Sequence, residues 1–504
     1  MAVSATVAKV LDGVRLKNDI PETLRSQIVT GLDYDSRRIG PGFLFFAFPG
    51  AKTDGRDFAR AAMERGAIAV LSEYPPPEGF AGPWLEVNHG REALAQAARN
   101  FYRAPDETVA LTGITGTNGK TTTGFLLDAI LRAAGKTTAL IGTIEYRLAS
   151  RVLPALNTTP ESLDLFRLLD ELRELGGTHA TMEVSSHALA LGRVAGLHFR
   201  TAVFTNLTRD HLDFHHTMEE YFAAKSLLFS PRNAPAPAWA VINRDDEYGR
   251  KLPVAEGTRA IRYGLDSKAD LIADAAEIRA EGLRFELAWD GRKTPVASPL
   301  TGRINVYNIL AAAGAAISHG LDLDQIAEGV GQLKAVPGRF ERVEEGQPFT
   351  VMVDYAHTDD ALRNVITTAR GLSPKRVITL FGCGGDRDRA KRPLMAMAAA
   401  ELSDFVVLTS DNPRSEDPIA IMNDALVGLR RFDTPHAIEP DREKAIRIAL
   451  GEARPGDIVI LAGKGHETYQ VLRDRTIHFD DREIARAALW EFGFSRKETA
   501  GGKR

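Results

Sequence analysis

Leu111-Thr112-Gly113-Ile114-Thr115-Gly116-Thr117-Asn118-Gly119-Lys120-Thr121-Thr122 carries a β-branched run straight into a glycine turn that ends in Gly-Lys-Thr. Set between a strand and a helix, such a turn is a phosphate cradle. Gly116 and Gly119 let backbone N–H groups face an anion, Lys120 adds a point charge for the β- and γ-phosphates, and the Thr121 hydroxyl can ligate Mg2+. The common pattern G-x-x-x-x-G-K-[ST] puts its first glycine where this chain has Ile114, so the loop is a variant and its context decides. Glu107 to Thr112 reads as a buried strand, and Thr122 to Ala134, closed by Gly135, reads as an apolar helix with a glycine stop. The plainer alternative is a glycine turn that only joins strand to helix, but it leaves Lys120 and Thr121 without a purpose. The stretch reads as a nucleoside triphosphate site.

At 504 residues the chain is too long for one core, and about 150 residues per domain predicts three. Tyr74-Pro75-Pro76-Pro77, with Gly79, Gly82 and Pro83, reads as a surface loop within the first domain. Boundaries fall at Arg103-Ala104-Pro105-Asp106 and at Val336-Pro337-Gly338, the latter after a helix-like run from Val306 to Leu333. The expected class is α/β throughout: an N-terminal α/β domain over 1–104, a central P-loop-type ATPase domain with a mostly parallel sheet over 105–336, and a C-terminal Rossmann-like domain over 337–494. In the last of these, Arg376 to Phe381, Phe405 to Thr409 and Ile458 to Leu461 are short apolar runs that alternate with helical segments. Ligands then belong at the carboxyl ends of those strands. The tail 495–504, rich in Lys, Arg and Gly, is expected to be flexible.

Charge balance narrows the partners. Lys and Arg number 63 against 67 Asp and Glu, so no global field draws nucleic acid or an anionic membrane, and small molecules are the expected partners. Cys383 is the single cysteine, which excludes structural disulfides and cysteine metal clusters and suits a reducing cytoplasm. Met1 to Leu16 has no long apolar run, and no stretch of about 18 apolar residues occurs to span a bilayer.

Three more clusters look chemical, each after a predicted strand: Asn157-Thr158-Thr159-Pro160, Glu183-Val184-Ser185-Ser186-His187 and Asn206-Leu207-Thr208-Arg209-Asp210-His211-Leu212-Asp213. Glu183 can supply the carboxylate that a triphosphate-bound Mg2+ needs beside Thr121, or it can face solvent next to a helix capped by Ser185 and Ser186. His211 and Asp213 are open in the same way, since an isolated histidine at a strand end is often only a hydrogen-bonded loop residue.

Together with Asn305-Val306-Tyr307-Asn308, Pro337-Gly338-Arg339 and Asp354-Tyr355-Ala356-His357, these motifs resemble, in order and over nearly the whole chain, the Mur ligase family. That family comprises the ATP-dependent amino-acid-adding ligases of peptidoglycan precursor synthesis, the cell-wall chemistry on which cell shape and division depend. Asp35-Ser36-Arg37 and the Asn157 cluster point within it to the MurE type, which adds a diamino acid to UDP-N-acetylmuramoyl-L-alanyl-D-glutamate. The resemblance implies that Gly116, Thr117, Asn118, Gly119, Lys120, Thr121 and Thr122 bind ATP, with Asn308 near adenine, Arg339 near the γ-phosphate and Asp354 near the ribose. It gives catalytic parts to Lys120, His211 and Lys225. Lys225 matches the family's carbamylated lysine, which with His211 places a second Mg2+, the first lying at Thr121 and Glu183. Without that match Lys225 reads as a solvated helix lysine. Ser36, Thr158, Thr159, Ser185 and Arg193 are implied to hold the UDP-muramoyl-dipeptide. An acyl phosphate is the implied intermediate, and a cytoplasmic monomer the implied form.

The amino acid is read from Asp411-Asn412-Pro413-Arg414, which matches the family's motif for meso-diaminopimelate and follows a predicted strand. Meso-diaminopimelate differs from lysine by a far carboxylate, which the Arg414 guanidinium can take in a bidentate pair. Lysine brings only an ammonium, and two like charges about 4 Å apart repel by roughly 4 kcal/mol at an effective dielectric near 20. Arg387, Gly463 and Glu467 match the remaining contacts. Alternatives are a lysine-adding ligase of the same family, which should lack Arg414, a folylpolyglutamate synthetase, which has no use for Asp35-Ser36-Arg37, and a non-catalytic nucleotide-binding scaffold. Two departures stand out: Leu191, where some relatives have Gln, and Asp359, where Pro is frequent and where Asp359 is expected to cap the next helix.

Overall fold

The computed structural model describes residues 4–50, 53–231, 235–265 and 268–495, and the rest of the expected flexible tail, 496–504, lies outside them. Three α/β units follow one another along the chain. The first holds a parallel sheet ordered Gly31–Asp33, Phe43–Phe46, Ala67–Ser72, Trp84–Glu86, with the proline loop joining the last two strands.

The phosphate-loop strand, Ala110–Thr115, lies at the middle of an 11-stranded sheet. Its parallel neighbours are His179–Glu183 on one side and Phe199–Phe204 on the other. The chain thus crosses to opposite sides of the strand, and the cleft between the divergent connections opens at its carboxyl end. The strand begins later than the sequence suggests, because Pro105–Glu107 forms a 3-10 turn after the left-handed residues Arg103 and Ala104. Ile114 is a fully buried strand residue, so the glycine turn starts only at Gly116. The helix Lys120–Ala133 follows, and Gly135 ends it with φ 74°.

Beyond Arg259–Gly264 the sheet continues into the antiparallel strands Leu271–Arg279, Gly282–Trp289 and Arg292–Ser298. The single helical run foreseen from Val306 to Leu333 is two helices, Arg303–Ser318 and Leu323–Gln332, broken at Gly320 (φ 85°) and restarted by a capping box at Asp322.

The third unit is a six-stranded sheet ordered Glu341–Val343, Thr350–Asp354, Ile458–Ala462, Val377–Cys383, Phe405–Ser410, His436–Ile438, parallel except for its first strand. Its two faces are buried by separate apolar clusters of its own. The first and central units instead share one apolar core, running from Val7 and Phe46 through Leu94 to Leu111 and Phe166. Among the described residues no helix is long and apolar enough to cross a membrane.

Candidate active site

The phosphate loop is fixed by close approach. A Cβ on Gly116 would lie 1.8 Å from Thr205 Oγ1, and one on Gly119, where φ is 87°, would lie 2.4 Å from Asn308 Oδ1. Only glycine lets these strands and the helix Arg303–Ser318 press so near. Thr205 Oγ1 donates to the Asn118 carbonyl at 2.6 Å, Asn206 Oδ1 accepts from Asn118 N at 2.9 Å, and the Asn206 carbonyl accepts from Thr117 N at 2.8 Å. The Asn206 cluster therefore shapes the loop.

Two lysines converge on one carbonyl. Lys120 Nζ and Lys225 Nζ each donate to the Gly116 carbonyl at 2.8 Å, and Lys225 lies 4.6 Å above the Tyr221 ring. Lys225 is 1% exposed, so it is no solvated helix lysine. Burial, then the charge of Lys120, pushes its amine well below the usual lysine range, partly offset by Asp210. Burial lowers Lys120 as well.

Glu183 ends its strand 2% exposed, with both carboxylate oxygens 3.0 Å from the Thr121 hydroxyl and a further hydrogen bond from Thr143 N at 2.8 Å. The solvent-facing alternative fails, although Ser185 does cap the helix Ser186–Ala190. His211, at φ 53°, stands 3.4 Å from Asp210 and edge-on to His187. Desolvation in the cleft, with the nearby His187, Lys120 and Lys225 and against Asp210, lowers it to about 4.

The third unit closes the other side. Arg339 reaches back to donate to Thr121 Oγ1 at 3.3 Å and stacks on Tyr355, while its Nε is buried without a partner. Asp354 accepts from Phe340 N at 2.7 Å and Ala356 N at 2.9 Å, and burial raises its carboxyl. Between the two units lies a cavity of about 520 Å³ lined by Thr117 through Thr122, Glu183, Asn308, Arg339 and Asp354. Every residue foreseen for ATP is on its wall except Gly116, which faces the lysines behind it.

A second cavity, of about 500 Å³, is lined by Arg387, Asp411, Asn412, Arg414, Gly463 and Glu467. Pro413 is buried behind it. The buried pair Arg442–Asp481, at 2.6 Å, fixes this wall, because Arg442 also donates to the Ser410 and Ala462 carbonyls at the ends of two strands. Arg414, held at φ 53°, donates through Nη1 to the Gly385 carbonyl at 2.8 Å. Glu467 is not waiting alone for a ligand: its Oε2 accepts from Asn412 at 2.9 Å and from Lys464, fully buried, at 3.1 Å. Sequence reasoning missed Lys464, whose only signal was its place between Gly463 and Gly465.

Of the residues foreseen for the UDP-muramoyl end, Thr158 and Ser185 line the first cavity, and Thr159 is buried beneath, bonded to the Glu183 carbonyl at 2.9 Å. Ser36 and Arg193 lie outside both cavities. Arg193 Nε is 3.1 Å from Glu161, which also pairs with Arg91 at 3.3 Å. Ser36 opens the 3-10 turn Ser36–Arg38, beside Tyr34, whose hydroxyl donates to Asp164 of the central unit at 2.6 Å. Leu191 closes the helix Ser186–Ala190 at its C-cap. Asp359 is not the cap expected of it: Thr358 caps the helix Asp359–Arg370, and Asp359 is its first residue, where a carboxylate favours the helix dipole.

Residues 28–102, 114–316 and 338–465 match, in turn, the Mur ligase family, catalytic domain; the Mur ligase middle domain; and the Mur ligase, glutamate ligase domain. The chain belongs to the Mur ligase family. It is 63% identical over 492 residues to UDP-N-acetylmuramoyl-L-alanyl-D-glutamate--2,6-diaminopimelate ligase of Solibacter usitatus (strain Ellin6076), with 98% of this chain and 100% of that protein covered. The protein of that name from Geobacillus thermodenitrificans (strain NG80-2) is 47% identical, covering 92% and 95% of the two chains. A solved structure of UDP-N-acetylmuramoyl-L-alanyl-D-glutamate--2,6-diaminopimelate ligase, 34% identical, aligns with a TM-score of 0.68 over 95% of this chain and 98% of that one.

Proposed function

We propose that this chain is an ATP-dependent carbon–nitrogen ligase that joins meso-diaminopimelate to UDP-N-acetylmuramoyl-L-alanyl-D-glutamate, a cytoplasmic step of peptidoglycan precursor synthesis. The observation that carries the reading is a shared wall: Asp210, His211, Tyr355, His357 and Thr358 line both cavities. A carboxylate activated in the first is thereby next to an amine held in the second. The relatives' names, and Arg387 and Arg414 on the wall of the second cavity, support the same amino acid.

A carboxylate does not condense with an amine in water until one of its oxygens becomes a leaving group. One oxygen of the D-glutamate side-chain carboxylate attacks the γ-phosphorus and ADP departs, leaving an acyl phosphate. The amine then attacks the acyl carbon, the tetrahedral intermediate expels inorganic phosphate, and the amine proton is lost. Lys120 and Arg339, both on the wall of the first cavity, offset the charge that collects on the transferring group. Arg414 holds the far carboxylate of diaminopimelate, with Arg387 beside it, and Glu467 draws the ammonium.

The donors present fit Mg2+. Thr121 and Glu183 offer hard oxygens 3.0 Å apart, and no group of three or more His, Cys, Asp or Glu able to hold a metal alone occurs among the described residues, so triphosphate oxygens would complete the shell. Bound there, the ion would neutralise phosphate charge. A second Mg2+ would be held by His211 and by Lys225 as a carbamate. The buried amine is pushed toward its neutral form, whose lone pair adds to CO2 with release of a proton.

We assign 1–104 to the UDP-muramoyl substrate, with Ser36 near the uracil nucleotide and Thr158, Thr159, Ser185 and Arg193 toward the dipeptide. Residues 105–336 are assigned to ATP and 337–494 to the amino acid, in a working monomer. The acyl phosphate gives the test. With heavy oxygen in the D-glutamate side-chain carboxylate, label passes to inorganic phosphate during ligation; unlabelled phosphate alongside ligated product would refute the route.

A further inference from the structure

Asp360 sits on the third unit, one residue past the start of the helix Asp359–Arg370, and is absent from the walls of both cavities. Its Oδ2 nevertheless gathers two donors from the central unit: Thr208 Oγ1 at 2.6 Å and Asn118 Nδ2 at 3.2 Å. Asn364, one turn along the same helix, adds a third at 3.0 Å and steadies the carboxylate.

Both central partners belong to the phosphate loop or its clamp. Asn118 is in the loop itself. Thr208 N donates to Thr117 Oγ1 at 3.0 Å, and Thr117 Oγ1 donates back to the Thr208 carbonyl at 3.2 Å. Thr117 Oγ1 is in turn 3.2 Å from the Tyr221 hydroxyl, and Lys225 lies over the Tyr221 ring. A continuous polar chain thus leads from Asp360 through Thr208 and Thr117 to the residue packed beneath Lys225.

We propose that Asp360 is a positioning residue that sets the phosphate loop from the third unit, so that the loop holds nucleotide fully only when that unit is docked. The contact is charge-assisted, short and made to the loop rather than to ligand. An ionised acceptor shared by two donors across an otherwise polar boundary is the kind of contact whose loss loosens a loop without unfolding either side. Thr208 and Asn118 transmit the position; Asp360 itself meets no reacting atom.

This rests on the reading of residues 116–122 as the nucleotide site, and the test separates the two. Asp360→Ala is expected to raise KM for ATP about tenfold or more while KM for the other two substrates changes less than about twofold. Thr208→Val, which removes the same bond from the other side and carries the test even where the first variant folds poorly, should give the same split. Combined, the two should be no worse than the more severe one alone, because they are halves of one contact. Asp360→Asn, which keeps an oxygen acceptor, should recover part of the loss. An unchanged ATP KM in Asp360→Ala and Thr208→Val, with Lys120→Ala losing ATP, would overturn the positioning role alone. Additive losses in the double variant would overturn it too. A Lys120→Ala protein that binds ATP normally would overturn the site and this inference together.

Discussion

Replacing Arg414 with alanine should separate amino-acid recognition from the rest of the reaction. Nη1 of Arg414 is engaged with the Gly385 carbonyl at 2.8 Å, which leaves Nε and Nη2 for a ligand carboxylate. Backbone strain does not confuse the comparison, since arginine and alanine meet similar cost at φ 53°. A charge-assisted hydrogen-bonded contact is worth about 1.5–3 kcal/mol, so Arg414→Ala should lower kcat/KM for meso-diaminopimelate by roughly ten- to a hundredfold. The repulsion that disfavours lysine, about 4 kcal/mol or roughly a thousandfold, should largely go with the guanidinium. Arg414→Lys should fall between, because it keeps charge but not the fork. The assay is ligation with each amino acid alone, then with both at equal concentration, with the products weighed by mass spectrometry and KM for ATP followed in parallel. A variant whose preference for diaminopimelate over lysine is unchanged would refute the reasoning, as would one whose ATP KM rises as much as its diaminopimelate KM.

Lys225→Ala should reduce ligation by at least about a hundredfold, and depleting then restoring bicarbonate should lower and recover wild-type activity only, since the variant has no amine to carbamylate; an active variant would remove the carbamate. Gly119→Ala places a Cβ 2.4 Å from Asn308 Oδ1 at φ 87°, and should weaken nucleotide binding by about tenfold or more, read by calorimetry with a non-hydrolysable triphosphate; normal affinity would show that the loop shifts freely. His319, bonded to Thr112 at 2.7 Å with a buried, unpartnered Nδ1, is lowered to about 3 by burial, and its neighbour His179 to about 4. Both stay neutral when folded, whereas the unfolded chain takes up protons below about 6.5, so their contribution is complete above that value and is lost as pH falls toward the folded values. The melting temperature should therefore drop between about pH 7 and about pH 5, and less so in His319→Gln; equal slopes would contradict the assignment.

The parts of the site that follow strand ends were legible because a strand that stops in glycine, asparagine or a carboxylate has few structural reasons to do so. Gly116, Glu183, Asn206 and Asp411 were read after predicted strands; Glu183 and Asn206 line the first cavity and Asp411 the second, while Gly116 sits behind the first. Sequence left Glu183 and Lys225 open, since burial depends on which strands become neighbours, and neighbour order is not local information. The antiparallel extension over 271–298 carried its own mark in Asp290-Gly291, both at positive φ in a two-residue hairpin turn. The break at Gly320 was equally visible in principle, but a continuous apolar pattern on either side masked it. Asp360 had no signal: next to Asp359 after Thr358 it reads as helix-start chemistry, and only the docking of two distant segments gives it partners.

Arg193 shows the opposite case, a residue type suited to a ligand but held in this structure by Glu161. Its place in substrate binding requires that pair to open or to share the guanidinium, so Glu161 belongs to the same recognition problem.

The most direct measurement is ligation by the purified protein given UDP-N-acetylmuramoyl-L-alanyl-D-glutamate, ATP, Mg2+ and equal amounts of meso-diaminopimelate and lysine, with the product identified by mass. The account predicts a diaminopimelate adduct, one ADP per adduct and almost no lysine product; a lysine adduct, or ATP bound without any adduct, would contradict it.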